Sequence, residues 1–176
     1  MTSSPRCLVI DTDIARSAGG MEAQEGRSKS CRDFLIAVLE TQHKVVTTDA
    51  IRTEWHKHQS RFTRTWLVSM FARKKVCLID APIDEELRKK VEQAADDEQK
   101  RTAMLKDIHL IEAALQADQI VISMDETVRH YFRKTALTIG VIRQIVWVNP
   151  CKDEETPLEW LKAGAVLEKE RRLGQS

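Results

Sequence analysis

Cys7-Leu8-Val9-Ile10-Asp11-Thr12-Asp13 sets four apolar residues in a row and then turns abruptly to acidic and hydroxyl side chains. A short continuous apolar run closed in this way predicts a strand buried on both faces, as in a parallel sheet. The pattern returns four times, at Val45-Val46-Thr47, Val76-Cys77-Leu78-Ile79, Gln119-Ile120-Val121-Ile122 and Ile145-Val146-Trp147-Val148. Between these runs apolar residues recur at helical spacing. Examples are Phe34, Leu35, Val38 and Leu39, then Phe62, Trp66, Leu67 and Met70, then Val128, Tyr131 and Phe132. Strands alternating with helices predict an α/β fold whose central, mostly parallel sheet of about five strands is covered on both faces.

The intervening segments sharpen that reading. Ser17 to Ser30 is polar, rich in Gly and Ser and without periodicity, which predicts a surface loop. Asp49 and Asp84 stand where they would cap helices containing Ile51 and Trp55, and Leu87, Val91 and Ala94. A break between Ala95 and Thr102 leads to a helix on which Asp107 lies early. Thr156-Pro157-Leu158-Glu159 reads as a capping box with Pro at the first helical position, opening a helix with Trp160, Leu161 and Val166 that Gly164 interrupts. Residues 1–150 are expected to form one α/β domain, with 151–176 a helical extension packed on it.

At 176 residues the chain is long enough for one well-buried core, and 42% apolar with 31% charged residues describes a globular protein. No apolar run is long enough to span a bilayer, and Met-Thr-Ser-Ser-Pro-Arg leads straight into a strand without a signal-peptide apolar region. A cytoplasmic protein with no membrane partner is expected. Cys7, Cys31, Cys77 and Cys151 are widely spaced, with no CxxC pair, so neither a zinc site nor a disulfide framework is expected. Cys7 and Cys77 read as small buried hydrophobes. The net charge of +1 is uninformative, but Arg52, Lys57, Arg61, Arg64, Arg73, Lys74 and Lys75 face a single acid, Glu54, within one stretch.

Four acids carry the chemistry. Asp11 and Asp125 each follow a strand, and Glu54 and Asp107 lie on helices. Ligands of open α/β sheets bind outside the carboxyl ends of the strands, at the switch in strand order, and crossover connections bring all four acids to that edge. Gathered carboxylates repel one another unless a cation holds them. The cluster therefore points to Mg²⁺ or Mn²⁺ and to metal-assisted chemistry on phosphate.

Four segments carry a resemblance: Val9-Ile10-Asp11-Thr12-Asp13, Thr47 to Trp55 around Glu54, Lys106 to Leu115 around Asp107, and Val121-Ile122-Ser123-Met124-Asp125-Glu126. In order, spacing and context they resemble the PIN-domain nuclease family, from about Cys7 to Val148. The resemblance implies a three-layer α/β/α domain that binds Mg²⁺ or Mn²⁺ and hydrolyses phosphodiester bonds, most often in RNA. Asp11, Glu54, Asp107 and Asp125 match the family's acids and Thr12 its small hydroxyl residue. Asp11 and Asp125 would be the direct ligands, Glu54 and Asp107 would bind a second metal or water, and Thr12 would hydrogen-bond water or phosphate. Many short bacterial members are VapC-type toxins, so an antitoxin protein and a homodimer are implied partners. This chain is longer than those, in the Ser17–Ser30 loop and after Pro157.

Each residue also has a plainer reading. Asp11 fits an Asx turn, Asp125 a helix cap and Glu54 a solvated face, while Asp13 reads as an auxiliary acid or, in preference, a turn residue. Asp107 borders an apolar stripe, where a bare carboxylate is costly without a partner. His56 and His58 are too close in sequence to share a helical face, and His109 reads equally as a partly buried structural residue. Trp55, Phe62, Trp66 and Phe71 interleaved with bases fit either a nucleic-acid platform or, more commonly, a core stripe. Arg52, Lys57, Arg61 and Arg64 are the candidates for binding phosphate backbone. Two other functions compete with a metal-dependent endoribonuclease. One is a non-catalytic RNA-binding or assembly module of the same fold. The other is a haloacid-dehalogenase-type phosphatase suggested by Asp11-Thr12-Asp13, although Ala15 stands where that family has a hydroxyl residue.

Overall fold

The computed structural model describes residues 4–175. Five strands, β1 (Cys7–Ile10), β2 (Lys44–Thr47), β3 (Val76–Leu78), β4 (Ile120–Ile122) and β5 (Val146–Val148), form one sheet in the order β3-β2-β1-β4-β5. Every pairing is parallel. The three inner strands are almost entirely buried: Leu8, Val9, Ile10, Val45, Val46 and Ile120 to Ile122 are at most 1% exposed, which is why they read as unbroken apolar runs.

Among the described residues eight α-helices connect and cover the sheet: α1 (Thr12–Ser17), α2 (Gly26–Glu40), α3 (Asp49–His58), α4 (Arg61–Ala72), α5 (Glu85–Ala94), α6 (Glu98–Leu115), α7 (Glu126–Ala136) and α8 (Pro157–Lys162). The chain winds from β1 through β2 to β3, then returns past β1 to β4 and β5. Right-handed crossovers put the connections of the first half on one face and those of the second half on the other. Accordingly α2 packs on β2, α4 and α8, whereas α6 packs on β1, β4, α5 and α7. The result is a three-layer α/β/α fold with its core on both sides of the sheet.

Several local expectations change. The chain leaves β1 directly into α1, and α2 already begins at Gly26, so the loop shrinks to residues 18–25. Lys29 pairs with Asp33 one turn on, and buried Arg32 donates to the carbonyls of Gly20 and Ala23, fastening that loop onto α2. The cap of α3 is Thr48, whose hydroxyl accepts from the Ile51 N–H at 3.2 Å; Asp49 instead pairs with Arg52. Asp84 does cap α5, accepting from Leu87 N–H at 2.9 Å. Helix α6 starts at Glu98, capped by Asp97, which places Asp107 mid-helix rather than early.

At the C-terminus Pro157 takes the first helical position, but Thr156 sits in the left-handed region (φ 43°) and its side chain caps nothing. Trp160, Leu161 and Leu173 are buried against the domain, and Leu173 N–H donates to Ile145 O at 2.8 Å. Cys7 and Cys77 are joined in a disulfide, against the expectation of unpaired hydrophobes. A separation of 70 residues in sequence carries no information about which strands come close.

Candidate active site

The switch in strand order falls between β1 and β4. Asp11 N–H donates to Ile122 O at 2.9 Å, joining their carboxyl ends, and Ser123 N–H donates to Val148 O at 3.1 Å, joining the end of β4 to β5. At that edge opens a cleft of about 840 Å³ lined by Asp11, Thr12, Asp13, Glu54, Asp107 and Asp125 among others. The four expected acids and Thr12, delivered by β1, α1, α3, α6 and the start of α7, thus line one cavity.

Hydrogen bonds fix the two strand ends. Ser123 Oγ, fully buried, lies 2.7 Å from Asp11 Oδ2 and 3.2 Å from Asp13 Oδ2, and it accepts from Asp125 N–H at 3.1 Å. Asp13 Oδ2 also accepts the Met124 N–H at 2.9 Å. Asp125 Oδ1 caps α7 by accepting from Val128 N–H at 2.9 Å and still faces the cleft, so capping and lining are done by one side chain. Asp13 therefore does more than make a turn: it ties the β1 end to the turn that carries Asp125. Its other oxygen, Oδ1, is buried with no hydrogen-bond partner.

The electrostatics show that the acids sense one another. Burial first, then the charge of Asp11, pushes Asp107 up to about 7, with Asp125 and Glu54 adding to the rise and Lys106 opposing it. Burial and then Asp11 likewise push Asp13 up to about 7. Asp11 is also raised, chiefly by burial, against the Ser123 hydrogen bond and neighbouring N–H donors. Without a cation the cluster holds protons near neutral pH, as crowded, desolvated carboxylates do.

Among the described residues no three acid, His or Cys side chains converge closely enough to hold a metal ion between them. The donor set nonetheless suits a hard divalent ion. Mg²⁺ keeps several waters and takes one or two carboxylates directly, so a set of acids around a cleft roomy enough for those waters meets its needs without a closed cage. The unpartnered Asp13 Oδ1 and the raised proton affinities mark where positive charge is wanted.

Arg52, Lys57, Arg61 and Arg64 are exposed on α3 and α4 but do not line the cleft. Its basic rim consists of Arg16, Arg88 and Lys106, with His58 and His109 beside them. Arg88 is held by buried Glu112 at 2.6 Å, and His58 stands 3.9 Å from Glu54. Trp55 and Trp66 are core residues, each 3% exposed, with indole N–H groups donating to Ile10 O and Leu35 O. That leaves them no face for stacking bases. Sequence reasoning missed Ser123 and the basic rim; Ser123 follows an apolar strand as Thr12 follows Asp11, a repetition visible once the strands are neighbours. Compared with protein-family models, with curated proteins and with solved structures, the chain matches none.

Proposed function

We propose that this protein is a metal-dependent endoribonuclease that hydrolyses phosphodiester bonds in the cleft at the β1/β4 switch. The observation that carries the reading is that four acids from separate segments line one cavity, where burial and the charges of the other three raise the proton affinity of Asp107. The resemblance to PIN-domain nucleases agrees with this placement, and RNA as substrate comes from that resemblance; the cytoplasm as setting is carried from the sequence reading. An antitoxin and a second copy of the chain are partners of the same standing.

Asp11 and Asp125 would hold Mg²⁺ or Mn²⁺, with Glu54, Asp107 and Asp13 completing the negative field. Once bound, the ion would supply Lewis-acid stabilisation of the charge on phosphate and a more acidic water. The chain's own groups do the rest. Ser123 holds the Asp11 carboxylate and the Asp125 N–H, and Asp13 holds the Met124 N–H, so the reacting geometry is set before substrate arrives. Thr12, at the amino end of α1, offers a hydroxyl to a phosphate oxygen or to water. Arg16 and Lys106 on the rim attract the flanking phosphates, a contact that positions the strand without reading its sequence. Asp107 and Glu54 are placed to accept a proton from water entering the cleft.

A substrate panel tests this reading. In Mn²⁺ the protein is expected to cut RNA internally and to leave a small phosphomonoester intact, with Asp125→Asn losing about a hundredfold or more of the RNA activity. Phosphomonoester turnover that survives while RNA stays whole would replace the nuclease with a phosphatase. RNA binding without cleavage would make the domain a binding module.

A further inference from the structure

Three sulfur-bearing side chains meet beside the cleft without taking part in it. Cys31 comes from α2, Met124 from the turn between Ser123 and Asp125, and Cys151 from the segment after β5. Met124 Sδ lies 3.6 Å from Cys31 Sγ and 3.4 Å from Cys151 Sγ, and the two thiols are 4.0 Å apart. Neither thiol is in a disulfide.

Buried Met and Cys usually spread their polarizable sulfurs against aliphatic or aromatic groups. Here the sulfurs face one another in a nearly equilateral triangle. Sulfur ligands about 2.3 Å from a trigonal metal stand about 4 Å apart, so the observed edges need only a slight opening to admit one. Two thiols and a thioether are a soft donor set that favours Cu(I) over the oxygen-preferring ions of the cleft. The Arg27 charge favours both thiolates, whereas burial opposes both and the Asp13 and Asp153 charges oppose Cys31 and Cys151 respectively, so the bound ion itself would supply most of the compensating charge.

Asn149 braces the site from behind: its Oδ1 accepts the Cys151 N–H at 2.9 Å and its amide donates to Met124 O at 3.4 Å. Cys31 is fully buried, while Cys151 and Met124 are partly exposed and give a route of entry.

We propose that Cys31, Met124 and Cys151 form a trigonal binding site for one soft monovalent metal ion, Cu(I). The thiols release protons as the ion binds, and no electron is transferred. The site does not depend on the nuclease reading. Its test is an anaerobic titration of fully reduced protein with Cu(I) against a colour-forming Cu(I) chelator, followed by X-ray absorption. One ion per chain with three sulfur neighbours at one distance is expected.

Cys151→Ser should abolish this binding, and Met124→Leu, which keeps apolar volume, should weaken it about tenfold or more. Cys77→Ser serves as the control because reduction also frees Cys7 and Cys77, and it should bind as wild type does. Melting curves of each variant confirm folding, and Met124→Leu decides the matter if Cys151→Ser does not fold. Absence of one-to-one binding, equal affinity in folded Met124→Leu, or loss of binding in folded Cys77→Ser would overturn the assignment.

Discussion

Asp107 shows how a single side chain reports on its neighbours. Its carboxyl titrates at about 7 in the folded chain against an ordinary 3.8. Between those values the folded state binds more protons than the unfolded one, so stability falls as pH rises through that window. In metal-free protein, Asp107→Asn should therefore stabilise the fold at pH 8, by about 1–2 kcal/mol after allowance for solvent screening. Near pH 4 the difference should vanish, because the wild-type carboxyl is then protonated too. Denaturant titrations at the two pH values check this; a variant less stable than wild type at pH 8 would contradict it. At this scale the sequence was half legible. A carboxylate beside an apolar stripe announced Asp107, and acids after strands announced Asp11 and Asp125. Ser123 was not announced, and Asp13 stood as an auxiliary acid behind a preferred turn role, because each depends on a partner about 110 residues away.

Elements were legible where their signal is periodic or local and poorly legible where it is neither. All five strands stand within a residue or so of the apolar runs that predicted them, since burial on both faces leaves an unmistakable pattern. Helix starts fared less well. Thr48 and Asp49 are both competent caps, and the choice between them follows from where β2 releases the chain. The Ser17–Ser30 tract hid the first turns of α2, whose polar residues are held by ion pairs rather than an apolar stripe. One ion-pair network joins elements outright. Arg129 on α7, 5% exposed, meets Glu126 and Glu155 and donates to Trp147 O at 2.8 Å. Without Arg129, Glu126 keeps Lys152 and Glu155 keeps Lys152 and Arg171 at 3.9 Å, while Trp147 O loses its donor, so Arg129→Ala should cost about 2–3 kcal/mol. A loss below about 1 kcal/mol in chemical denaturation would show that water screens the network.

For the molecule as a whole, topology turns scattered acids into a site. Strand order 3-2-1-4-5 places β1 beside β4 although 109 residues separate their ends, Cys7–Ile10 from Ile120–Ile122. The alternation of strands and helices predicted a parallel sheet, and the rule of right-handed crossovers then leaves few edges at which a cleft can open. What the pattern left out was the disulfide and the position of the basic rim, both products of packing between distant segments. No described helix is long and apolar enough to cross a membrane. The central claim is that the cleft acids act through a divalent ion on RNA. Its most direct measurement is cleavage of end-labelled RNA in Mn²⁺, Mg²⁺ or EDTA by wild type beside Asp11→Asn. The account predicts cutting by wild type with either ion, none in EDTA, and loss of cutting with retained RNA binding in the variant. Cleavage that survives EDTA, or that Asp11→Asn performs as well as wild type, would contradict it.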